Sequence, residues 1–348
     1  MRVVSVERFG GPEVLVVRDR PDPVAGPGEV VVSVTASDVL WVDTMVRAGR
    51  AADVFPVRPP YVPGNGVAGR VISVGEGVDP GWLKQQVVAH TGGAGGTGGY
   101  AEQAAVAVEE VVAVPDGVDP LAALALLHDG GTAQRILRAL GVGDLALGQD
   151  NGADEETQTG EHKSWALVVG AAGGMGILLV QLLRAAGYRV AGAAGGPRKL
   201  EAVAAAGAEV TVDYRTDSSD WPARVLAATG NQRPHLVLDG VGGRLGEAAY
   251  RLVADGGGFS RHGAPGGGFA QVDRADAARR GVTVIGLEDL QAGPGERAEL
   301  LRSLLLQMAA GRLAPHIGQT WPLADARAAH AAIEERRTVA KTLLTVDR

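Results

Sequence analysis

The sequence predicts an α/β protein in which a doubly wound parallel sheet follows a mostly β amino-terminal region. Three observations carry that expectation. From residue 166 the chain alternates short apolar runs with amphipathic stretches, the pattern of parallel strands joined by helical crossovers. Residues 1–125 are instead rich in Val, Gly and Pro, with short runs bounded by turn residues. Near residue 120 the texture changes to Ala/Leu patterns of helical period.

In the first region, Val31–Thr35 and Gly69–Val74 read as strands, and Gly10-Gly11-Pro12 and Gly26-Pro27-Gly28 as turns. Pro120–Leu127 and Thr132–Leu140 read as helices. The strands expected in the parallel sheet are Ala166–Gly170, Tyr188–Ala193, Glu209–Asp213, His235–Asp239, Gly257–Ser260 and Val282–Leu287. Helices are expected at Gly174–Ala186, Arg198–Ala206, Trp221–Ala228 and Leu245–Val253. Two more, Glu296–Gly311 and Ala324–Arg336, precede a last strand at Lys341–Val346. Residues 146–163 are polar, acidic and glycine-bearing, which predicts a solvated loop.

Residues 166–176 read Ala-Leu-Val-Val-Gly-Ala-Ala-Gly-Gly-Met-Gly. Ala171, Gly173 and Gly176 give A-x-G-x-x-G, one substitution from the dinucleotide fingerprint. Small residues let backbone amides approach a pyrophosphate and let the helix pack on the strand. The helix N-terminus then offers N–H groups to the phosphates. In strand–turn–helix context this predicts a Rossmann-type dinucleotide site; a glycine turn without a ligand is the alternative.

An acid closing the second strand of such a sheet bonds the adenosine ribose. That place reads Ala193-Ala194-Gly195-Gly196-Pro197-Arg198-Lys199, with two cations and no acid. Cations at a helix N-terminus oppose its dipole, so Arg198 and Lys199 point to an anion, the 2′-phosphate of NADPH. An exposed first helical turn is the plainer alternative. Tyr214 and Arg215 follow the third strand, close to the same place in this fold.

The 348 residues carry a net charge of −7 and include no Cys, so disulfides, thiolate zinc sites and cysteine nucleophiles are excluded. No basic patch with interleaved aromatics suggests nucleic acid. No apolar run reaches spanning length and no basic-then-apolar leader is present, so a cytoplasmic protein without membrane contact is expected. The seven histidines show no metal spacing, and no metal is expected. His128 and His262 are placed to reach a site, with structural roles as the alternative. Asp43 reads as an orienting carboxylate or a helix cap, and Trp41 and Tyr61 as pocket or core aromatics.

Several motifs occur in a fixed order. They are Gly10–Leu15, Val42-Asp43-Thr44 with Arg47-Ala48-Gly49, Pro60–Gly64 with Gly66–Gly69, and Gly99–Glu102. Gly131-Thr132-Ala133, Gly170–Gly176, Asp239–Gly243 and Glu335–Thr338 with Lys341 follow. Together they resemble the medium-chain dehydrogenase/reductase superfamily, in its zinc-independent quinone oxidoreductase branch, over nearly the whole chain. The resemblance implies a GroES-like substrate domain over 1–127 and 289–348 and a Rossmann domain over 128–288. It implies NADPH, reduction of a quinone or an enone, and a homodimer, for which the apolar last strand Val282–Gly286 offers an edge. It places Ala172, Gly173, Gly174 and Met175 at the pyrophosphate, and Gly176, counted with them as cofactor-binding, lets the helix pack close to the strand. Lys199 and Tyr214 would meet the 2′-phosphate, with Arg336 closing over it. Thr132, Val241, His262 and Gly263 would line the nicotinamide. Asp43, Tyr61, Asn65 and Thr132 are the catalytic candidates.

This chain departs from that pattern in two places. Zinc-dependent relatives carry Gly-His-Glu where Pro63-Gly64-Asn65-Gly66 stands. The Asn and Tyr that flank the V-D-T segment in the quinone oxidoreductases are replaced by Leu40 and Met45, which leaves no evident proton donor. Two alternatives therefore stay open: a non-catalytic NADPH-binding sensor or scaffold, and a reductase tailoring a bulky biosynthetic intermediate.

Overall fold

The computed structural model describes residues 1–51, 55–92, 98–143, 164–215, 220–290 and 292–346. The loop expected at 146–163 lies outside them. The chain divides into two compact units, Met1–Gly131 with Ala292–Arg348, and Thr132–Gln291.

The first unit opens with an antiparallel pair, β1 (Arg2–Val6) and β2 (Leu15–Asp19). β3 (Glu29–Val39) is an 11-residue strand of mostly β-branched residues and carries most of the pairing. α1 (Trp41–Arg47) follows at once. Its seven residues are too few to show a helical period in the sequence. Then come β4 (Gly66–Val74), β5 (Gln86–His90), β6 (Gln103–Ala107), β7 (Val111–Ala113) and α2 (Pro120–Leu127).

α3 spans Asp129–Ala139, three residues earlier than the expected start at Thr132. Gly130 and Gly131 read as a turn signal, but Gly130 serves packing. A β-carbon there would meet Leu304 Cδ1 at 2.6 Å.

The second unit is a parallel sheet. Its strands are β8 (Trp165–Val169), β9 (Arg189–Ala194), β10 (Val210–Asp213), β11 (Leu236–Asp239), β12 (Gly258–Arg261) and β13 (Thr283–Gly286). They lie in the order β10-β9-β8-β11-β12-β13, the doubly wound arrangement. The connecting helices are α4 (Gly174–Ala185), α5 (Pro197–Ala205), α6 (Trp221–Ala228), α7 (Gly243–Tyr250) and α8 (Arg274–Arg280). β8 is buried along its whole length, as a central strand covered on both faces must be. α7 starts two residues before the expected Leu245. α8 was not expected because its sequence, Arg-Ala-Asp-Ala-Ala-Arg-Arg, buries only Ala277. Local chemistry sets it instead: Asp273 accepts the Ala275 and Asp276 N–H groups, and Gly281 ends it at φ +65°.

The chain then returns to the first unit through α9 (Pro294–Ala309), β14 (Ile317–Pro322), α10 (Ala326–Glu334) and β15 (Lys341–Thr345). β15 pairs antiparallel with β3, which completes the order β14-β15-β3-β4-β5-β7 with β6 also on β3. β14 was not expected; its polar, half-buried Ile-Gly-Gln-Thr-Trp-Pro carries no clear alternation. Among the described residues, no helix is long and apolar enough to cross a membrane.

Candidate functional site

The second unit presents a glycine cradle at the carboxyl end of β8. Gly170 turns the chain at φ +76°, and α4 starts after Gly173 with no side chain capping it. A β-carbon on Gly176 would lie 2.6 Å from the Gly170 carbonyl oxygen and 2.7 Å from Ala171 C, so only glycine lets the helix sit this close. Ala172 and Gly176 are buried, Gly174 and Met175 half-buried, and Gly173 exposed. The uncapped helix start and its dipole suit a diphosphate.

β9 ends at Ala194 without an acid. The nearest carboxylate, Asp213 at the end of β10, is committed to the backbone. It accepts Gly196 N–H at 3.0 Å and Arg215 N–H at 2.8 Å. Arg215 folds over this turn: a β-carbon on Gly196 would lie 1.9 Å from its Nη2. Its side chain is 64 % exposed. Arg198 is exposed at the start of α5; Lys199 and Tyr214 are half-buried. The turn is thus cationic, as a 2′-phosphate requires.

At the end of β11 one residue fixes two loops. Asp239 Oδ1 accepts the N–H groups of Val241 and Gly242, each at 2.9 Å. Its carbonyl accepts those of His262 and Gly263, each at 3.0 Å. Burial pushes the Asp239 carboxyl up to about 6 and the His262 imidazole down to about 4, so His262 is neutral at pH 7.

The first unit holds a polar cluster built from four segments. Asp38, fully buried on β3, accepts from Lys341 Nζ at 3.0 Å and contacts His128 Nδ1 at 3.0 Å. Lys341 also reaches Asp129 Oδ2 at 3.2 Å. His128 Nε2 lies 3.2 Å from Nδ1 of His90, the last residue of β5. Burial alone would push the Asp38 carboxyl up, but Lys341 and His128 outweigh it and hold it well below the usual range. Lys341 is likewise raised, its desolvation outweighed by Asp129 and Asp38.

Asp43 stands beside this group. Its carboxylate accepts Leu40 N–H and Asn65 Nδ2–H, both at 2.8 Å. Burial pushes it up to about 7, against the pull of the Leu40 N–H. Tyr100 Oη lies 2.9 Å from His330 Nε2. Burial and Arg47 lower His330 to about 3, so the ring is neutral at pH 7.

Residues 26–116 match the family of alcohol dehydrogenase GroES-like domains, and residues 174–301 match the family of zinc-binding dehydrogenases. A quinone oxidoreductase of Pseudomonas aeruginosa is 29 % identical over 98 % of both chains. A mycobacterial protein solved in complex with NADPH is 28 % identical, with a TM-score of 0.80 over 99 % of this chain and 100 % of that one. The chain belongs to the medium-chain dehydrogenase/reductase superfamily, in its quinone oxidoreductase-like branch. A polyketide synthase system protein of Streptomyces orinoci is also similar, 31 % identical over 95 % of this chain but 14 % of its own length.

In this superfamily member the first unit brings Asp43 and Asn65 together. Tyr61 packs in the core around Val6, Leu15 and Leu344, and its hydroxyl has no hydrogen-bond partner among the described residues. Thr132 opens the second unit on α3, where its hydroxyl accepts from Arg135 at 3.3 Å. Arg336 belongs to the first unit, just beyond α10 at φ +58°. Asp38 and His90 were not among the expected residues. A lone acid in the run Val-Val-Val-Ser-Val-Thr-Ala-Ser-Asp-Val was the available signal, because a buried charge demands a partner.

The family name of the second unit raises zinc, which these residues do not fit. The chain has no Cys, and no group of three His, Cys, Asp or Glu among the described residues could hold a metal. Where two histidines and a carboxylate do converge, the Lys341 ammonium already faces the carboxylate.

Lys341→Met would leave Asp38 buried without its ammonium partner, with only His128 still in contact. It should cost about 3–5 kcal/mol in urea unfolding at pH 7. Because the Asp38 pKa is depressed, the pair's contribution is present above the ordinary carboxylate range and lost as pH falls through it. The gap between variant and wild type should therefore narrow in acid; a gap that widens would contradict the charge assignment.

Proposed function

We propose that this protein is an NADPH-dependent reductase of quinones and α,β-unsaturated carbonyls that works without zinc. The observation that carries this reading is the uncapped start of α4 over a glycine cradle, flanked by a turn with cations in place of the ribose-binding acid. The names of the relatives, and the mycobacterial complex with NADPH, support it.

Backbone groups of Ala172–Gly176 would hold the diphosphate, and Lys199, Arg198, Tyr214 and Arg215 the 2′-phosphate. Thr132, Val241, His262 and Gly263 are the residues we assign to the nicotinamide. Bound there, NADPH supplies a hydride. The chain's own part is to orient and to manage charge. Asp43 fixes the Asn65 amide through one N–H, which leaves the other as the donor we assign to the carbonyl oxygen as it gains charge. Tyr61 is assigned no chemical role, since its ring fills the core.

A reductase for a bulky biosynthetic intermediate is the second reading, favoured by the likeness to a polyketide synthase system protein. Turnover of enoyl thioesters in preference to small quinones would select it. Absence of NADPH oxidation with any quinone or enone would leave a binding protein.

NADPH should bind far more tightly than NADH, and Lys199→Ala should weaken NADPH by about 1–3 kcal/mol while sparing NADH. Equal affinities in a fluorescence titration of the unmodified protein would refute the 2′-phosphate assignment.

Elemental analysis should find no stoichiometric zinc, and a chelator should leave turnover unchanged. One tightly held zinc per chain would restore alcohol dehydrogenase chemistry.

We also propose a homodimer through β13, which is an edge strand of the second unit's sheet with Thr283 exposed and Val284 half-buried. Continuing the sheet across a two-fold axis would protect that edge. Light scattering should give a dimer mass for the wild type and a smaller one for Val284→Lys. A monomeric wild type sinks the proposal.

A further inference from the structure

We infer that Asp239 sets the charge preference of the nicotinamide site: its carboxylate, fixed beneath two loops assigned to that ring, favours the oxidised, cationic form of the cofactor over the reduced one. This rests on the reductase reading above, which gives Val241, His262 and Gly263 to the nicotinamide. Asp239 is then a positioning residue, acting through the loops it holds and through its charge.

The geometry lies wholly within the second unit. Asp239 closes β11 and has no solvent exposure. Its Oδ1 takes the N–H groups of Val241 and Gly242, each at 2.9 Å, so two successive backbone dipoles point at one oxygen. Its carbonyl takes those of His262 and Gly263. Its Oδ2 has no hydrogen-bond partner among the described residues. A β-carbon on Gly246 of α7 would lie 2.0 Å from that oxygen, so glycine is what leaves it room.

No cation answers this charge among the described residues. Asp38 in the first unit meets an ammonium and a histidine, whereas Asp239 meets backbone N–H groups alone. β8 and residues 264–270 carry no charged side chain. On β12, Arg261 pairs with Glu288. His262 follows, with Nδ1 3.0 Å from Ser260 Oγ and its ring neutral at pH 7. On α7, Arg244 is exposed and Glu247 half-buried. None of these groups moves the Asp239 carboxyl. Burial raises it to about 6, against the pull of the Gly242 and Val241 N–H groups. Asp239 is therefore an anion at pH 8 and mostly neutral at pH 5. A buried anion without a counter-ion is costly to keep, and groups of this kind concentrate at functional sites.

The charge suits the reaction. Hydride carries both electrons of a cofactor C–H bond to the quinone or to the enone β-carbon. The substrate is thereby reduced to an anion that water protonates, and NADP⁺ remains. The nicotinamide has gained a positive charge, while Asp239 has gained and lost no proton. A fixed anion in a dry, low-dielectric setting stabilises that cation and leaves the neutral reduced ring almost unaffected.

Binding measurements test this without turnover. The Kd values of NADP⁺ and NADPH are compared by titration from pH 5 to 8. Both forms carry the same 2′-phosphate, so its titration cancels from their ratio. The ratio of the NADP⁺ Kd to the NADPH Kd should fall by roughly 2- to 10-fold as pH rises and the anion appears. Asp239→Asn keeps the size of the side chain and an oxygen for the two N–H groups. It should hold the ratio flat, near the wild-type value at pH 5. A wild-type ratio that does not fall, or one that falls equally in Asp239→Asn, overturns the inference. If Asp239→Asn binds neither form, the pH dependence of the wild type decides alone. Thermal melting checks the buried charge separately. The folded-state carboxyl lies above its unfolded value, so wild type should lose stability relative to Asp239→Asn as pH rises from about 4 through 6. A gap that moves the other way contradicts the assignment. If NADPH is bound and quinone reduced while the ratio ignores pH, only the role of Asp239 falls. If NADPH is not bound, the reductase reading falls with it.

Discussion

The ion pair between Asp38 and Lys341 is the constraint on which the first unit depends. A carboxylate with no solvent exposure on the longest strand of a sheet can persist only if a cation meets it inside the protein. That cation arrives from more than 300 residues further along, on β15, and its position dictates that the carboxyl-terminal strand lie against β3. The second contact of Lys341, with Asp129, ties the same point to the start of α3. His128 and His90 complete the set of partners, so one buried charge gathers segments from four parts of the sequence. Such a group specifies geometry more than it adds stability, because its desolvation offsets most of its attraction.

The second unit solves a similar problem with backbone groups. Asp239 holds two successive N–H groups with its carboxylate and two more with its carbonyl oxygen. The loops that leave β11 and β12 are thereby fixed against each other without a single ion pair. Glycine makes the approach possible, since a β-carbon on Gly263 would lie 1.9 Å from Gly240 C. The two halves of the chain thus use opposite means, a network of side-chain charges in one and a close-packed backbone in the other.

The second unit was legible in the sequence because its central strands β8 and β11 are short apolar runs, and glycines mark the turns that follow them. Local signals of that kind need no knowledge of distant residues. α8 escaped because it is solvent-facing and held by a cap, and β14 because its edge position demands no hydrophobic alternation. In the site, Asn65 and Asp43 were found through a short motif, whereas His90 was not. His90 acquires its meaning only when β5 is placed beside β4 and α2 delivers His128. Asp38 was the nearest to being readable, as an acid inside an apolar run, but nothing local names Lys341 as its partner.

The sequence order of the two units has a consequence for synthesis. Residues 132–291 form an uninterrupted stretch, so a growing chain can close that sheet before β14 and β15 are made. The first unit is begun earlier yet finished later, because β14 and β15 belong to it. Until β15 is made, the Ala36–Val39 end of β3 lacks one neighbouring strand and Asp38 lacks the Lys341 ammonium. The nascent protein must therefore carry an unfinished first unit alongside a folded insertion, and β14 and β15 act as the closing piece.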